Sequence, residues 1–312
     1  MRMRNLGAAD VAAALDYASL VDALDDAFRG DVTVPPRHHH TVPVDGGHDA
    51  TLLLMPAWDV DFLGIKTATV MPDNALRNLP AVNASYQLMD RATGTQLAIL
   101  DGAELTARRT AAASALASRF LSRPDAGRLL MVGTGTLAPH LIGAHASQRP
   151  LTELTVWGRN SIKAEAVAAG VDLPGVAVSV SDDLQGAVQD ADIISCATLA
   201  AEPLILGDWL RPGQHVDLVG GFTPAMREAD DDAMRRASVF VDTEDAIQSA
   251  GDICDPLSRG VITEADILGT LFTLARPDAP PARPSGDEIT LFKSAGTAIE
   301  DLAGAVLAYR RA

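Results

Sequence analysis

The sequence predicts an α/β protein in which a doubly wound parallel sheet is joined to a second, α+β domain. Two observations support this fold class. Strand and helix patterns alternate from about residue 127 to about residue 245, which is typical of parallel strands joined by right-handed crossovers. Ahead of this region, strand patterns follow one another without helices between them, which indicates an antiparallel or mixed sheet.

Composition narrows the class of function. The 312 residues include 25 Lys and Arg against 41 Asp and Glu, for a formal net charge of −16. Nucleic-acid binding needs clustered cations, so we expect no nucleic-acid partner, and an anionic substrate would need positive charge concentrated locally. Cys196 and Cys254 form no CxxC motif, which argues against a disulfide framework or a zinc site. Without a signal peptide or an apolar run of about 18 residues, we expect a cytoplasmic protein with no membrane partner.

The first region combines an N-terminal helix with several strands. Apolar residues at helical spacing predict a single helix from Asp10 to Phe28. Strands are predicted at 51–55, 62–70, 85–89 and 96–100, and the last two form a hairpin around the turn 90–94. A long helix is predicted from Asp101 to Phe120, with Asp101 as its cap and Glu104 three residues later, as in a capping box.

The second region carries the alternating pattern. Its predicted strands are 128–132, 154–157, 176–180, 193–196, 215–219 and 239–241. The segment 275–284 is rich in proline and is predicted to be a loop. Asp287 to Tyr309 is predicted to be one final helix that returns to the first domain, so that both chain ends contribute to it.

A glycine-rich turn directly follows the first strand of the alternating region. The sequence GTGTLA forms a GxGxxA pattern between a predicted strand and a predicted helix. Its two glycines permit close approach of the backbone to a pyrophosphate, and the N-terminus of the following helix offers N–H groups to the phosphates. We therefore predict a Rossmann-type, dinucleotide-binding domain; the contact residues are Gly133, Thr134, Gly135, Thr136, Leu137 and Ala138. The alternative is a glycine-rich turn of purely structural use.

The end of the next strand predicts which dinucleotide is bound. An NAD site usually has an Asp or Glu here for the ribose 2′-OH, but this sequence has Gly158 and Arg159, followed by Asn160 and Lys163. A guanidinium pairs with a 2′-phosphate, whereas a carboxylate would repel it. NADP(H) is therefore favoured over NAD(H), with Arg159, Asn160 and Lys163 as cofactor-binding residues. The alternative is that Arg159 is a solvated loop residue.

Several segments together resemble the ornithine cyclodeaminase and mu-crystallin family over nearly the whole chain. The most specific are 86–126 and 287–303, and the others are 64–74, the GTGTLA turn and 219–230. The family includes ornithine cyclodeaminases, an alanine dehydrogenase branch and reductases of ketimines and cyclic imino acids. The resemblance implies a homodimer with two domains per chain. These are a Rossmann domain at 119–289 and a substrate-binding and dimerisation domain formed by 1–118 together with 290–312.

The resemblance assigns three basic residues to the substrate, an imino or amino acid of small size. Arg37, Lys66 and Arg109 match the residues that hold the substrate carboxylate, and Lys66 and Arg109 are the catalytic candidates. This agrees with the need for local positive charge in an acidic chain. Arg109 lies in a predicted helix of Ala, Ser, Thr and Leu, where an unpaired Arg would be costly. The alternative role for Arg109 is an internal ion pair.

Further cofactor contacts are expected at Ala197, Thr198, Gly220, Phe222, Lys293 and Ser294. Lys293 and Ser294 match a family segment near the nicotinamide, and their alternative role is surface chemistry at a helix start. We expect no metal, because the consecutive residues His38, His39 and His40 are not joined by an Asp or Glu at ligand spacing.

One departure from the family decides the predicted reaction. True cyclodeaminases carry an Asp directly after the two glycines of the VGG segment, where this chain has Phe222. A phenyl ring can neither take a proton nor direct a water molecule. We therefore predict an NAD(P)H-dependent reductase of cyclic imino acids, such as 1-pyrroline-2-carboxylate or 1-piperideine-2-carboxylate, with the hydride supplied by the cofactor. Ornithine cyclodeaminase, alanine dehydrogenase and a non-catalytic NADPH-binding protein are the alternatives.

Overall fold

The computed structural model of the chain describes residues 3–77, 79–221 and 223–312. It separates into two compact units. Unit 1 runs up to Thr110 and resumes at Thr297–Ala312, and unit 2 comprises Ala111–Gly296. Among the helices of the described ranges, none has the length and apolar character needed to cross a bilayer. The expected cytoplasmic location stays a prediction.

The strands are β1 (Arg4–Leu6), β2 (His38–Val42), β3 (Ala50–Trp58), β4 (Phe62–Val70), β5 (Val82–Asp90), β6 (Gln96–Asp101), β7 (Arg128–Val132), β8 (Glu153–Trp157), β9 (Ala177–Ser181), β10 (Ile193–Cys196), β11 (His215–Leu218), β12 (Ser238–Val241), β13 (Ile267–Thr270) and β14 (Thr290–Lys293). The helices are α1 (Ala8–Ala14), α2 (Tyr17–Arg29), α3 (Gly102–Leu121), α4 (Leu137–Ala146), α5 (Ser161–Ala169), α6 (Leu184–Asp190), α7 (Asp231–Arg236), α8 (Asp245–Ser249), α9 (Gly251–Ser258), α10 (Leu271–Leu274) and α11 (Ala298–Arg311). Short 3₁₀ turns lie at Pro72–Arg77, Gly207–Trp209 and Glu264–Asp266.

Unit 1 is built on a six-stranded sheet in the order β1-β6-β5-β4-β3-β2. β2 to β6 pair in antiparallel fashion, and β1 is a parallel edge strand on β6. The predicted hairpin is confirmed as β5 and β6. Because side chains alternate along a strand, Lys66, Tyr86 and Leu88 share one buried face, and α11 packs against β3, β4, β5 and β6. The edge strands β1 and β2 were not predicted.

The N-terminal helix is two helices rather than the single one predicted from 10 to 28. α1 is followed by Leu15, and Asp16 then caps α2 by accepting a hydrogen bond from the Ser19 backbone N at 2.9 Å. A side chain that caps one helix start also stops the preceding helix from continuing through it. The apolar face is nevertheless as predicted, because Val11, Leu20 and other members of it are buried.

The long helix predicted after β6 is confirmed as α3. Asp101 caps it by accepting a hydrogen bond from the Glu104 backbone N at 2.8 Å. The Glu104 side chain, which a capping box would direct to the start of the helix, instead accepts from Arg108 Nε at 2.6 Å. An ion pair one turn along the helix has therefore replaced the second half of the predicted box.

Unit 2 is an eight-stranded sheet in the order β13-β12-β14-β11-β10-β7-β8-β9, in which all neighbours are parallel. This confirms the predicted doubly wound fold, although β13 was not predicted. Its core is formed by apolar side chains of the central strands, such as Leu130, Val132, Ile194 and Val216, which are completely buried. The strand order reverses between β7 and β10, and a crevice at such a point is where doubly wound sheets bind their ligands.

The prediction of one final helix from 287 to 309 is wrong. Thr290–Lys293 is the completely buried strand β14, which lies between β11 and β12. Gly296, with a φ of 75°, separates it from α11. Four residues are too few for periodicity to distinguish a buried strand from one helical turn. Lys293 and Ser294 therefore lie at the end of a buried strand and not at the start of a helix.

Candidate active site

Unit 1 contains a buried group of two cations and two carboxylates, which we call the clamp cluster. Its members are Lys66 on β4, Arg109 on α3, and the consecutive residues Glu300 and Asp301 on α11. Lys66 is 4% exposed and Arg109 is 5% exposed, whereas both carboxylates are completely buried. Two of the three cations that the sequence assigns to a substrate carboxylate are thus brought together.

Asp301 joins the two cations of the clamp cluster. One of its oxygens accepts hydrogen bonds from Lys66 Nζ at 3.0 Å and from Arg109 Nε at 2.9 Å. Its other oxygen lies 2.8 Å from Lys66 Nζ, and Glu300 accepts a hydrogen bond from a terminal nitrogen of Arg109. The internal ion pair considered for Arg109 is therefore present. It does not exclude a role in binding, because a guanidinium carries five N–H donors and an ammonium carries three.

Burial and neighbouring charges set the protonation of the clamp cluster. The pKa of Lys66 is lowered to about 8, because burial and the nearby positive charge of Arg109 outweigh the opposing effect of Asp301. Burial acts to raise the pKa of Asp301, but Arg109 and Lys66 hold it below its usual value. Asp301 is therefore ionised at neutral pH. Lys66 is an ammonium at neutral pH, and it begins to lose its proton at a pH only slightly higher.

The two carboxylates were not predicted as site residues. Glu300 and Asp301 lie in the first turn of α11, where acidic residues are common at the surface because they suit the helix dipole. The signal that sets them apart is their neighbourhood, since AIEDLAGAVLA is otherwise apolar. A pair of charges on the apolar stripe of a helix indicates buried cations opposite it.

Arg37, the third predicted substrate residue, is half-buried and directly precedes β2. β2 is two strands from β4, which carries Lys66, in the same sheet. Its contact with substrate stays a prediction. His38 and His40, further along β2, are exposed, and their rings lie 6.3 Å apart. In the described ranges, no group of three or more His, Cys, Asp or Glu is arranged to hold a metal ion.

In unit 2, the GTGTLA turn lies where β7, β8 and β10 end. Gly133 has a φ of 122°, and a Cβ on it would lie 2.5 Å from the Ala197 carbonyl oxygen, so no other residue fits without a shift. Its backbone N donates to the Trp157 carbonyl at 2.9 Å. Ala138, in the first turn of α4, is completely buried. A strand, a tight turn and a closely packed helix in this order are the cradle that a dinucleotide pyrophosphate needs.

The turn after β8 touches the glycine-rich turn. A Cβ on Gly158 would lie 2.6 Å from Thr134 Cγ2, so the two turns are in contact. Arg159 and Lys163 are exposed, and the Asn160 side chain accepts from the Lys163 backbone N at 3.1 Å, which caps α5. Arg159 is thus exposed in the turn that touches the glycine-rich turn, and its contact with a cofactor stays a prediction.

The remaining predicted cofactor residues lie at the ends of β10, β11 and β14. Ala197 and Thr198 follow β10, and Gly220 follows β11. Lys293 and Ser294 are buried at the end of β14, and the Ser294 backbone N donates to the Leu218 carbonyl at 3.2 Å. Phe222, the position on which the predicted reaction depends, lies outside the described residues.

Comparison with known proteins identifies the family. The family model described as "Ornithine cyclodeaminase/mu-crystallin family" matches residues 5–312. The chain belongs to this family. The resemblance predicted from its motifs is thereby confirmed, and the match extends across both units.

Individual family members show which proteins the chain is similar to. It is 40% identical to the Delta(1)-pyrroline-2-carboxylate reductase of Paracoccus denitrificans, over 92% of this chain and 93% of that protein. It is 36% identical to the ketimine reductase mu-crystallin of Rattus norvegicus, over 86% of this chain and 82% of that protein.

Solved structures of the family share the fold. Delta(1)-pyrroline-2-carboxylate reductase of Thermococcus litoralis, solved in complex with NADH and L-proline, has a TM-score of 0.91 and 31% identity, over 99% of this chain and 97% of that one. An archaeal alanine dehydrogenase dimer with bound NAD also has a TM-score of 0.91, at 26% identity, over 100% of this chain and 96% of that one.

Proposed function

We propose that this member of the family is an NAD(P)H-dependent reductase of cyclic imino acids such as 1-pyrroline-2-carboxylate. The observation that carries the proposal is that Lys66 and Arg109 are buried together on the shared carboxylate of Asp301, in a chain that also has a dinucleotide cradle at Gly133. A carboxylate clamp and a hydride carrier are the two parts that reduction of an imino acid needs. The names of the Paracoccus and Thermococcus relatives support the same reaction.

The clamp cluster can bind a carboxylate ligand if the protein supplies one further cation. Lys66 and Arg109 are balanced by Glu300 and Asp301, so a bound carboxylate would leave one negative charge uncompensated. Arg37, assigned to the substrate by family resemblance, supplies the balancing charge in this proposal. Asp301 meanwhile fixes the two buried cations before the ligand arrives, which lowers the cost of ordering them on binding.

Lys66 is the group that we assign to protonation of the imine. A bound nicotinamide would supply the hydride to the imine carbon, and that carbon is reactive enough only when the imine nitrogen is protonated. An ammonium with a pKa of about 8 is protonated at neutral pH, yet gives up its proton more readily than an ordinary lysine. Arg109 cannot take this role, because a guanidinium does not release its proton in the accessible pH range.

We propose NADPH as the preferred cofactor. The support is the chemistry of the turn after β8, which offers the exposed side chains of Arg159 and Lys163 and has Gly158 where a dinucleotide site specific for NAD would carry a carboxylate. A 2′-phosphate would pair with Arg159, whereas NADH offers that guanidinium only a hydroxyl.

We also propose a homodimer that forms through the sheet of unit 1. The face opposite Lys66 carries Leu52, Leu54, Leu63, Ile65 and Ile99, each of which stays partly exposed in the single chain. Apolar side chains on a sheet face are costly to leave in water, and one such face can pair with its own copy across a two-fold axis. A second copy of this chain is therefore the occupant that we expect, and the archaeal alanine dehydrogenase relative is a dimer.

The deciding experiment measures oxidation of NADPH and NADH with 1-pyrroline-2-carboxylate, 1-piperideine-2-carboxylate, and pyruvate with ammonia, alongside ammonia release from L-ornithine. We expect both cyclic imino acids to be reduced, with NADPH faster than NADH. Ammonia release from L-ornithine without turnover of either imino acid would refute the proposal in favour of a cyclodeaminase. Turnover of pyruvate with ammonia alone would indicate an alanine dehydrogenase.

A further inference from the structure

A second buried charged group, which shares no residue with the clamp cluster, lies in unit 2. It consists of Lys293 at the end of β14, Glu228 in the segment after β11, and Asp252 on α9, all of them completely buried. Lys293 Nζ lies 3.3 Å from an Asp252 oxygen and 3.8 Å from a Glu228 oxygen. Burying one cation with two carboxylates costs free energy, which indicates that the group has a function beyond stability.

The Glu228 carboxylate ties together two backbone turns. One oxygen accepts from the Thr198 backbone N at 2.7 Å and from Thr198 Oγ1 at 2.9 Å. The other accepts from the Gly220 backbone N at 2.7 Å and from the Gly221 backbone N at 3.4 Å. Thr198 follows β10 and the two glycines follow β11, so a single side chain fixes the ends of both strands.

The turns are pressed against each other so closely that small displacements are resisted. A Cβ on Gly220 would lie 1.9 Å from the Thr198 carbonyl oxygen, so the residue at this position must be glycine. Asp252 secures Glu228 from the other side, because one of its oxygens accepts from the backbone N of Glu228 at 2.7 Å and of Ala229 at 3.0 Å. The other Asp252 oxygen is the one that faces Lys293.

We propose that Lys293 and Asp252 act together as positioning residues that hold the Glu228 carboxylate under the turns 197–199 and 219–221. These turns lie at the carboxyl ends of β10 and β11, directly beside the strand-order reversal at β7, where a doubly wound sheet receives its ligand. Through Glu228, the buried group fixes the backbone that faces the nicotinamide half of the dinucleotide. This inference rests on the nicotinamide cofactor of the proposed function.

The charge of Lys293 is what the arrangement requires. Both oxygens of Glu228 accept hydrogen bonds from N–H groups. Only the ionised carboxylate can do this fully, because a protonated acid carries an O–H donor on one of its oxygens. Burial raises the pKa of Glu228, Lys293 opposes that rise, and Asp252 adds to it. Without the ammonium, two carboxylates would be buried together with no cation between them, and their repulsion would be relieved by moving Glu228 or by protonating one of the pair.

The test compares Lys293→Met with Lys293→Arg and with the double variant Lys293→Met/Asp252→Asn. The first removes the cation, the second keeps it, and the third removes one charge of each sign while leaving an Asn oxygen for the backbone donors of Glu228 and Ala229. Two quantities are measured: amide hydrogen exchange of residues 197–201 and 219–221 in the cofactor-free protein, and the Kd for NADH from fluorescence titration.

We expect Lys293→Met to speed exchange in both turns, and to raise the Kd for NADH, by about tenfold or more, since it loosens charge-assisted hydrogen bonds. Lys293→Arg and the double variant should both recover protection and affinity. Wild-type exchange and affinity in Lys293→Met would overturn the proposal, as would a double variant no better than Lys293→Met, because loss of packing alone is not rescued by a second lost charge.

If Lys293→Met does not fold, Glu228→Gln decides the matter, because its amide nitrogen would face N–H donors that the carboxylate now accepts from. Unchanged exchange and NADH affinity in Glu228→Gln would overturn the proposal, and loosening of both turns would support it. These measurements need no substrate. A parent protein that binds NADH but reduces no imino acid would refute the proposed function and leave this inference standing.

Discussion

Replacing Asp301 with Asn tests how the clamp cluster controls the charge of Lys66. Asn keeps the shape of Asp but removes the anion that accepts from Lys66 Nζ and Arg109 Nε. The Coulombic attraction and the hydrogen bond of Asp301 both raise the pKa of Lys66, so their loss lets burial and Arg109 lower it further. Since only the ammonium form can bind a carboxylate or protonate an imine, activity should be lost at a lower pH.

The size of the shift follows from the contact that is removed. A hydrogen bond to a charged group contributes about 1.5–3 kcal/mol, and one pKa unit corresponds to about 1.4 kcal/mol, so the pKa should fall by about one to two units. Starting from about 8 in the parent, Lys66 would then titrate between about 6 and 7 in the variant. At pH 7.5, about three quarters of Lys66 would be protonated in the parent and about a tenth in the variant, a loss of severalfold in the active form.

The assay is kcat/KM for 1-pyrroline-2-carboxylate with saturating NADPH between pH 6 and 9. We expect the alkaline limb of the profile near pH 8 in the parent and at a lower pH in Asp301→Asn. Glu300→Gln is the matched control: it removes the same charge from the same helix, but Glu300 affects Lys66 only through Coulombic attraction, the smallest of the causes. Equal shifts in the two variants, or an unmoved limb in Asp301→Asn, would refute the reasoning. Titration of the substrate itself is common to all three proteins and cancels.

Three further predictions concern the proposed site, the cofactor and the assembly. Arg109→Ala should lower kcat/KM by about 30- to 1000-fold, which corresponds to about 2–4 kcal/mol of transition-state binding. Arg109→Lys should recover only part of this loss, because a point charge cannot reproduce the planar guanidinium. Equal rates for the parent and Arg109→Lys in the imine assay would contradict the carboxylate-binding role of Arg109. Arg159→Asp should raise the Kd of NADPH more than that of NADH in fluorescence titrations, and a parent that binds NADH more tightly would contradict the cofactor preference. Ile65→Glu should convert a dimer to a monomer by light scattering, whereas Val60→Glu on the exposed turn after β3 should not; a monomeric parent at micromolar concentration would reject the dimer.

The parallel sheet of unit 2 was predictable because each of its signals is local. Apolar strands, helices between them and a glycine-rich turn can be recognised within a few residues of each other. The errors occur where local patterns conflict with tertiary context. β14 has only four residues, a length that one helical turn would match equally well, and only its neighbours β11 and β12 make it a strand. β2 consists of His38–Val42, which is exposed along its whole length and so has no apolar alternation to reveal it.

The site was predictable in its cations but not in its carboxylates. Lys66 and Arg109 were selected through resemblance to a family, which also suggests a carboxylate as their ligand, and this contact stays a prediction. Glu300 and Asp301 could not be found in the same way, because two acids at a helix start are ordinary surface chemistry until their burial is known. Glu228 was missed because it accepts hydrogen bonds from backbone N–H groups, and such donors leave no mark in the sequence.

The local charges explain how so acidic a chain could bind an anion. The formal net charge of −16 acts through surface groups, and at physiological ionic strength those beyond about 8 Å are largely screened. The clamp cluster is buried, so its own charges interact strongly with one another and with whatever is bound there. Asp301 holds both cations in place in the absence of substrate. Without a carboxylate beside them, two cations buried so close together would repel each other. The carboxylates of α11 therefore stabilise the two buried cations without a ligand, but they leave the cluster neutral. A bound carboxylate would then need a third cation, and this is the role that the proposed function gives to Arg37.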